Sequence, residues 1–370
     1  MSRRRLLTLL VLCVAACTPG DRLAEKPQAA RWVVGDSLLP LDSVLLGETD
    51  SASFYVGRPI AFNIAPSGDI YISDQFARRV LVFDPRGRPV RQYGTDGSGP
   101  GSFGAPGAIA FAGPDSLIIA DWIRDILYFY GGDSLLPARS MRVRGAALRV
   151  QQRRDTLWIG VFNAARQSGL AWLPPAGEPQ YVGPMPAFYK ERPELLTSFG
   201  FSTTSVEDST VLLSYALVPR VYRVRTDGSV VDSVDLPKRL RRTATEDLAD
   251  AARRYKSFEE WMNGTSTVTA VQVLPDSSII VVLTDHEVRD NVVGGQNYLS
   301  ILDHNLRPLC TDIILRYPAS VRPLVAFRSD TLYTLAQDVR DSESGGGGVA
   351  ESYVRRYVVG RQICSPRTTS

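Results

Sequence analysis

Ser67-Gly68-Asp69-Ile70-Tyr71-Ile72 joins a polar turn to a short apolar strand. Gly and Asp favour tight turns, whereas β-branched and aromatic residues favour strands. The same turn-and-strand phrase occurs at five later places: Asp115–Ile119, Asp155–Ile159, Asp208–Leu213, Asp276–Val281 and Asp330–Leu335. The chain is therefore built from six copies of one structural unit.

Each unit contains further short strands. An apolar strand precedes the phrase, as in Ile60–Ile64, and two more follow it, as in Val80–Phe83 and Val90–Tyr93. Four strands per unit, repeated at intervals of about 40 to 70 residues, are typical of β-propeller blades. The sequence predicts an all-β fold, a six-bladed propeller of four-stranded antiparallel blades spanning residues 31–366.

The first two units carry a family resemblance. The segment Arg58–Gly94 resembles an NHL repeat, and Gly97–Phe103 with Pro106–Ala110 continues the pattern into a second. The other four units match in turn chemistry and periodicity. Overall the chain resembles the six-bladed propeller lipoproteins of bacteria, a family largely without assigned activity. Ala77 replaces the Asn of the NHL loop, so the resemblance implies no loop function here.

The chain ends indicate how the ring closes. The sixth unit has three strands, the last being Tyr353–Val358, while Leu41–Leu46 stands alone near the N-terminus. This lone strand resembles Val231–Leu236, the outermost strand of the fourth unit. We expect it to complete the last blade, because pairing the first strand with the last removes exposed sheet edges.

The N-terminus has the order of an export signal. Residues 1–16 contain Arg3-Arg4-Arg5, an apolar run and two alanines before Cys17. Val14-Ala15-Ala16-Cys17 resembles the bacterial lipobox, which implies lipidation of Cys17 and a membrane contact through the lipid. An ordinary signal with an accidental Cys is the alternative. Residues 17–30 show no helical or strand periodicity and are predicted to be a flexible tether.

The sequence indicates the export route and the destination membrane less specifically than it indicates export itself. Ser2–Leu7 resembles a twin-arginine signal, although three arginines serve general secretion equally well. In lipoproteins with a lipobox, an Asp directly after the lipidated Cys retains the protein at the inner membrane. Thr18 occupies that position here, so the resemblance favours the outer membrane.

Composition excludes several classes of protein. The 370 residues are 44% apolar and 22% charged, unlike disordered or collagen-like chains. The net charge of +3 equals the contribution of Arg3–Arg5, so the remaining chain is near neutral. A neutral body favours no nucleic-acid partner. We expect a monomeric domain.

One segment departs from the strand pattern. Thr245-Glu246-Asp247 is a capped, acidic helix start, and apolar residues follow at helical spacing. A helical insert over 244–262 is predicted between the fourth and fifth blades.

Strand parity predicts a face with long loops. Connections from the second to the third strand, and from the fourth strand to the next blade, lie at one end of the propeller. This end, called the loop-rich face, holds the predicted loops Gly94–Gly107, Pro184–Thr197, Asp285–Gln296 and Asp338–Ala350, together with the insert. Long loops carry function or vary neutrally.

The loop-rich face also collects candidate ligand-binding side chains. Asp74 and Asp121 occupy matching positions at the end of the second strand in adjacent blades. The full candidate set is Asp74, Arg78, Arg79, Asp121, Trp122, Arg124, Tyr189, Lys190, Tyr215, Asp285, His286 and Gln337. Convergent polar and aromatic groups suit a ligand. Alternatively, the two aspartates accept backbone hydrogen bonds in turns, and Arg79 pairs with one of them.

Few residues suggest catalysis. The chain has two histidines, His286 and His304, and only His286 with neighbouring Asp285 lies on the loop-rich face. No nucleophile elbow, phosphate loop or CxxC motif is present. No catalytic residue, metal ligand or cofactor is therefore assigned.

Two cysteines follow the predicted lipid anchor at Cys17. Cys310 and Cys364 lie in adjacent units of an exported chain, where disulfides persist. A structural disulfide between them is expected, with two buried free thiols as the alternative.

The sequence as a whole favours a non-catalytic, lipid-anchored envelope propeller that binds a protein, peptide or glycan through its loop-rich face. A hydrolase or lyase of the NHL-propeller type, with a divalent cation in the central channel, is the alternative. A purely structural envelope component is the third possibility.

Overall fold

The computed structural model describes most of the chain after residue 32. The described residues are 33–34, 37–47, 54–94, 98–113, 115–132, 134–153, 156–163, 168–174, 177–191, 202–207, 209–236, 263, 265–289, 292–316, 324–339 and 350–364. The predicted signal peptide, Cys17, the tether and the helical insert 244–262 lie outside them. No helix among the described residues is long and apolar enough to cross a membrane.

The described residues form 26 strands, one short α-helix and a 3-10 helix near the C-terminus. In chain order they are β1 (Val33–Val34), β2 (Ser37–Leu38), β3 (Asp42–Leu45), β4 (Pro59–Ile64), β5 (Ile70–Asp74), β6 (Arg79–Phe83), β7 (Pro89–Tyr93), β8 (Pro106–Gly113), β9 (Ser116–Asp121), β10 (Ile126–Gly131), β11 (Arg139–Arg142), β12 (Ala146–Arg153), β13 (Thr156–Asn163), β14 (Ser168–Leu173), β15 (Gln180–Val182), α1 (Ala187–Glu191), β16 (Ser202–Val206), β17 (Thr210–Tyr215), β18 (Val218–Arg225), β19 (Val230–Asp235), β20 (Ser266–Val273), β21 (Ile279–Arg289), β22 (Val292–Leu302), β23 (Pro308–Leu315), β24 (Leu324–Arg328), β25 (Thr331–Val339) and β26 (Ala350–Val358).

These strands form the predicted six-bladed propeller. Blades one to five consist of β4–β7, β8–β11, β12–β15, β16–β19 and β20–β23, in that order, and blade six of β24–β26 with β3. In blades one to five the four strands pair antiparallel in sequence order, from the central channel outward, and in blade six β24, β25 and β26 are followed by β3 on the outside. The predicted fold class is confirmed.

The N-terminal strand closes the ring as predicted. β3 pairs antiparallel with β26, with Val44 opposite Val354 and Asp42 opposite Arg356. The Arg356 guanidinium donates two hydrogen bonds to the Asp42 carboxylate, and this hydrogen bonding raises the pKa of Arg356. The last blade therefore depends on residues more than 300 positions apart in sequence.

The N-terminal segment makes a further pairing that the sequence did not indicate. β1 and β2 form a small hairpin, and β2 pairs in parallel with β23 at the outer edge of blade five. Leu38 is fully buried there in an apolar cluster shared by blades five and six. Blade five is consequently a six-stranded sheet.

The core consists of apolar layers between neighbouring blades. Side chains alternate along each strand, so one face of a blade packs on the preceding blade and the other on the following one. Between blades one and two, Val82, Tyr93, Ile119 and Tyr130 are buried together. The Tyr93 and Tyr130 rings meet edge to face at 5.0 Å between centroids.

A disulfide fastens the C-terminal end. Cys310 in β23 is bonded to Cys364, which ends a short 3-10 helix, Arg361–Cys364. Both cysteines pack against the cluster that contains Leu38. The disulfide expected from the sequence is confirmed.

Candidate functional site

The loop-rich face carries the longer connections. At this end the chain passes from β7 to β8, from β15 to β16 and from β19 to β20, and more than ten residues separate the strands of each pair. The turns 65–69 and 226–229, at the other end, are tight. One predicted loop is wrong: β21 extends to Arg289 and β22 begins at Val292, so most of 285–296 forms an extended hairpin. Continuous backbone pairing between the two strands overrides the polar, glycine-containing sequence of this segment.

Asp74 is fully buried at the end of β5 and holds two loop segments together. Its carboxylate accepts hydrogen bonds from the backbone N–H groups of Gly57 and Arg58, at 3.0 Å each, and from Phe76 at 3.1 Å. The Arg79 Nε atom lies 3.8 Å from Asp74 Oδ2. Asp74 thus joins the chain entering blade one to the turn between β5 and β6.

Asp121 performs the same task in blade two. Its carboxylate accepts hydrogen bonds from the backbone N–H groups of Gly104, Ala105 and Arg124, at 2.6, 3.1 and 3.2 Å. The Arg124 guanidinium also donates to the Ser102 carbonyl at 2.7 Å. Both aspartates show the backbone hydrogen bonding that the sequence left open as an alternative to ligand contact.

The two turns that follow these aspartates have the same shape. The fourth residue after each aspartate, Arg78 or Asp125, has a left-handed backbone, with φ of 51° and 57°. The second residue after each is a large apolar side chain facing solvent: Phe76 is 84% exposed and Ile123 is 62% exposed. Neither residue belongs to the twelve candidates, although their common spacing from the two aspartates is visible in the sequence.

Three further residues belong to the segments that Asp74 joins, the chain entering blade one and the turn after β5. Tyr55 is 43% exposed, and its carbonyl accepts a hydrogen bond from Arg79 at 2.7 Å. Arg58 and Arg78 are exposed. We call Tyr55, Arg58, Phe76, Arg78 and Ile123 the turn patch.

Of the other candidates, the two tyrosines are part of the core. Tyr189, in α1, and Tyr215, at the end of β17, are buried with ring centroids 5.5 Å apart. Tyr189 Oη accepts a hydrogen bond from the Leu217 N–H at 3.2 Å, and the Tyr215 hydroxyl donates to the Pro184 carbonyl. Burial raises the pKa of both phenols. Lys190, beside them in α1, is exposed.

Asp285 and His286 lie on β21 and not in a loop, so their side chains lie on opposite faces of the strand. Asp285 accepts a hydrogen bond from Ser266, whereas His286 Nε2 is 2.8 Å from Thr267 Oγ1. These adjacent residues therefore do not form a shared chelating pair. Among the described residues, no three His, Cys, Asp or Glu side chains are grouped to hold a metal ion.

The remaining candidates support the packing of blades. Gln337 is buried and its side-chain amide donates to the Val56 carbonyl at 3.0 Å and to Ser352 Oγ at 3.2 Å. Trp122 is half-buried, and its ring lies close to Gly107 of β8. The structure thus does not gather the twelve candidates into one pocket, and it adds the exposed turn patch.

Comparisons with known proteins match the fold. No family model matches the sequence and no curated protein matches it, so the resemblance to NHL repeats stays a prediction. A protein from Bacteroides fragilis NCTC 9343, described as exported, is 13% identical with a TM-score of 0.53, covering 85% of this chain and 95% of that one. A member of the DUF4221 family from Bacteroides vulgatus ATCC 8482 is 8% identical with a TM-score of 0.56, covering 85% and 96%.

A virginiamycin B lyase from Staphylococcus aureus is 9% identical with a TM-score of 0.49, covering 86% of this chain and 99% of that one. At such identities these structures are alike in fold alone. The chain is a six-bladed β-propeller whose function has to be argued from its own side chains.

Proposed function

We propose that this propeller is a non-catalytic binding protein of the cell envelope, and that its turn patch binds a protein or peptide. The observation that carries the proposal is the exposure of Phe76 and Ile123 at matching turn positions of adjacent blades. Large apolar side chains are enriched at the centres of protein interfaces, where they lose contact with water.

The turns beneath these side chains are preorganised. Buried Asp74 and Asp121 accept three or more backbone N–H groups each, from two separate segments of chain. An interface built on such turns loses little conformational entropy when a partner binds. This rigidity favours recognition over neutral surface variation.

The charges of the turn patch suggest the chemistry of the partner. Arg58 and Arg78 are exposed in the same segments as Tyr55 and Phe76, whereas the carboxylates of Asp74 and Asp121 are buried and already accept hydrogen bonds. Arginine beside an aromatic ring suits a segment that combines apolar and acidic residues. We therefore favour a protein or peptide over a glycan.

The proposal includes export and a lipid anchor at Cys17. It is supported by the signal-like residues 1–16, the lipobox resemblance and the similar fold of the Bacteroides fragilis protein that is described as exported. Two acyl chains hold a protein on a membrane durably, whereas one chain gives marginal binding.

Substituting Cys17→Ser in the full-length chain is expected to move the protein from the membrane fraction to the soluble fraction of the cell envelope. Cys13→Ser is the matched control, because bulky Leu12 makes Cys13 a poor lipobox cysteine. Immunoblotting of fractionated cells measures the distribution. Membrane retention of the Cys17→Ser protein would refute the anchor.

The combined variant Phe76→Ser with Ile123→Ser tests the turn patch. We expect its affinity for a captured envelope partner to fall at least tenfold, since losing two buried anchors costs about 2 kcal/mol or more. The immobilised domain is incubated with solubilised envelope proteins, and the retained partner is identified and then titrated by calorimetry.

The control variant is Val230→Ser with Val231→Ser, on the outer strand of blade four. These valines are 45% and 43% exposed but lie outside the turn patch. Equal affinity of wild type and the Phe76/Ile123 variant would reject the patch as the binding surface. Binding to glycans alone would reject the protein or peptide assignment.

A further inference from the structure

Arg149 lies in the central channel. It belongs to β12, the innermost strand of blade three, and its Nη2 atom donates a hydrogen bond to the carbonyl of Thr269 at 3.2 Å. Thr269 belongs to β20, the innermost strand of blade five. Because blade four stands between these two blades, the side chain must cross the inside of the ring to make this contact.

The other polar side chains described on the inner strands bond within their own blade or to the next one. Asn63 Nδ2 donates to the Ile109 carbonyl at 2.9 Å, from blade one to blade two. The backbone N–H of Val206 in blade four donates to Gln151 Oε1 of blade three at 3.1 Å. These groups join neighbouring strands, whereas Arg149 places a charged group in the lumen.

The charge of Arg149 has no carboxylate partner in the described part of the chain. Protein surrounds the side chain, and this burial lowers the pKa of the guanidinium, yet the residue keeps partial access to solvent. A guanidinium remains protonated in proteins. A cation held in such surroundings is costly unless a counter-charge and hydrogen-bond acceptors accompany it.

Among the described residues, Arg149 uses little of its hydrogen-bonding capacity. A guanidinium has five N–H donors in a planar fork, and Arg149 uses one of them on the Thr269 carbonyl. The same fork binds two oxygens of a carboxylate or phosphate group side by side. We propose that the central channel binds an oxyanion, a carboxylate or phosphate group, at Arg149.

This site is separate from the turn patch. The turn patch consists of connections at the loop-rich face of blades one and two, whereas Arg149 is on the inner strand of blade three. Substitution of Phe76 and Ile123 leaves Arg149 unchanged, so either proposal can fail without the other.

Calorimetric titration of the purified domain with inorganic phosphate, and separately with acetate, tests the site. We expect one saturable site per chain, with a dissociation constant at least tenfold higher in Arg149→Gln, because a charge-assisted bond contributes a tenfold factor or more. Arg149→Lys should bind more weakly than wild type, since it keeps the charge but lacks the fork.

Arg139→Gln is the matched control. Arg139 is exposed on β11, the outer strand of blade two, with its guanidinium 3.7 Å from the centre of the Phe129 ring. Its substitution should leave anion affinity unchanged. The tighter of the two probes shows whether the natural oxyanion is a phosphate or a carboxylate.

Two results would overturn the proposal: no saturable binding of either anion, or equal affinity in wild type and Arg149→Gln. If Arg149→Gln does not fold, the arginine side-chain N–H resonances of the wild-type protein answer the question, with Arg149→Lys used for assignment. A phosphate-dependent shift of the Arg149 resonance supports the site, and an unchanged spectrum rejects it.

Discussion

A chain that begins at residue 48 is expected to lose its native fold. It lacks β3, so the outer edge of β26 becomes unpaired, and it lacks Leu38 and Leu46, which are 0% and 8% exposed in the complete domain. Burial of one leucine contributes about 1.5–3 kcal/mol. Together with the lost strand pairing, this approaches the roughly 5–15 kcal/mol that stabilises a typical domain.

The measurement combines size-exclusion chromatography with thermal unfolding. We expect the shortened chain to aggregate, because an unpaired strand edge is a template for other chains. A chain that begins at residue 31 keeps β1 to β3 and should unfold like a chain that also keeps residues 17–30. A monomeric chain from residue 48 with an unchanged melting temperature would show that ring closure contributes little.

The repeated strands were predictable because their signal is local. Each turn-and-strand phrase, such as Ser67–Ile72, combines turn residues with an alternating or apolar strand, and the structure contains a second strand at all six places. Closure by Leu41–Leu46 was also predictable, because the sixth unit has only three strands in sequence and a propeller blade has four. These features need no knowledge of distant contacts.

The errors and omissions involve contacts between distant residues. The segment 285–296 has loop-like composition, yet the two strands pair continuously from Ile279 opposite Leu302 to Arg289 opposite Val292. The pairing of β2 with β23 has no local signal, because two residues are too few to show a period. The sequence did not predict that Leu38 is a core residue, although its side chain is fully buried in the structure.

In the candidate site, too, local features were predictable and contacts between distant residues were not. Matching positions of Asp74 and Asp121 were visible in the sequence, but their bonds to Gly57 and Gly104 depend on the loop that enters each blade. Arg149 could not be selected from the sequence, because its contact with Thr269 joins blades three and five across the channel. Residue type and spacing identify turns, whereas the ring geometry decides which side chains meet.

Replacing both Cys310 and Cys364 by serine is expected to lower the free energy of unfolding by roughly 4 kcal/mol. The bond closes a loop of 54 residues, and the loss of chain entropy in the unfolded state scales with the logarithm of that length. Equilibrium unfolding in urea measures the change as a lower midpoint with little change in slope.

Reductant provides the internal control for this variant. It should shift the urea midpoint of the wild-type protein toward that of the double variant and leave the variant unaffected. Two reactive thiols in denatured, unreduced wild-type protein, or equal midpoints for the two proteins, would show that the bond is absent in solution.

The disulfide and the N-terminal segment act on the same strand, so their effects should not add. Cys364 is bonded to β23 through Cys310, while β2 pairs with the end of β23 and the Leu38 carbonyl accepts a hydrogen bond from the Arg316 N–H at 3.1 Å. Perturbations that share a structural partner couple, whereas distant ones are additive. We therefore expect Leu38→Ala to cost a different free energy in the double variant that lacks both cysteines than in the disulfide-bonded protein. Equal costs in both backgrounds would mean that the two chain ends stabilise blade five independently.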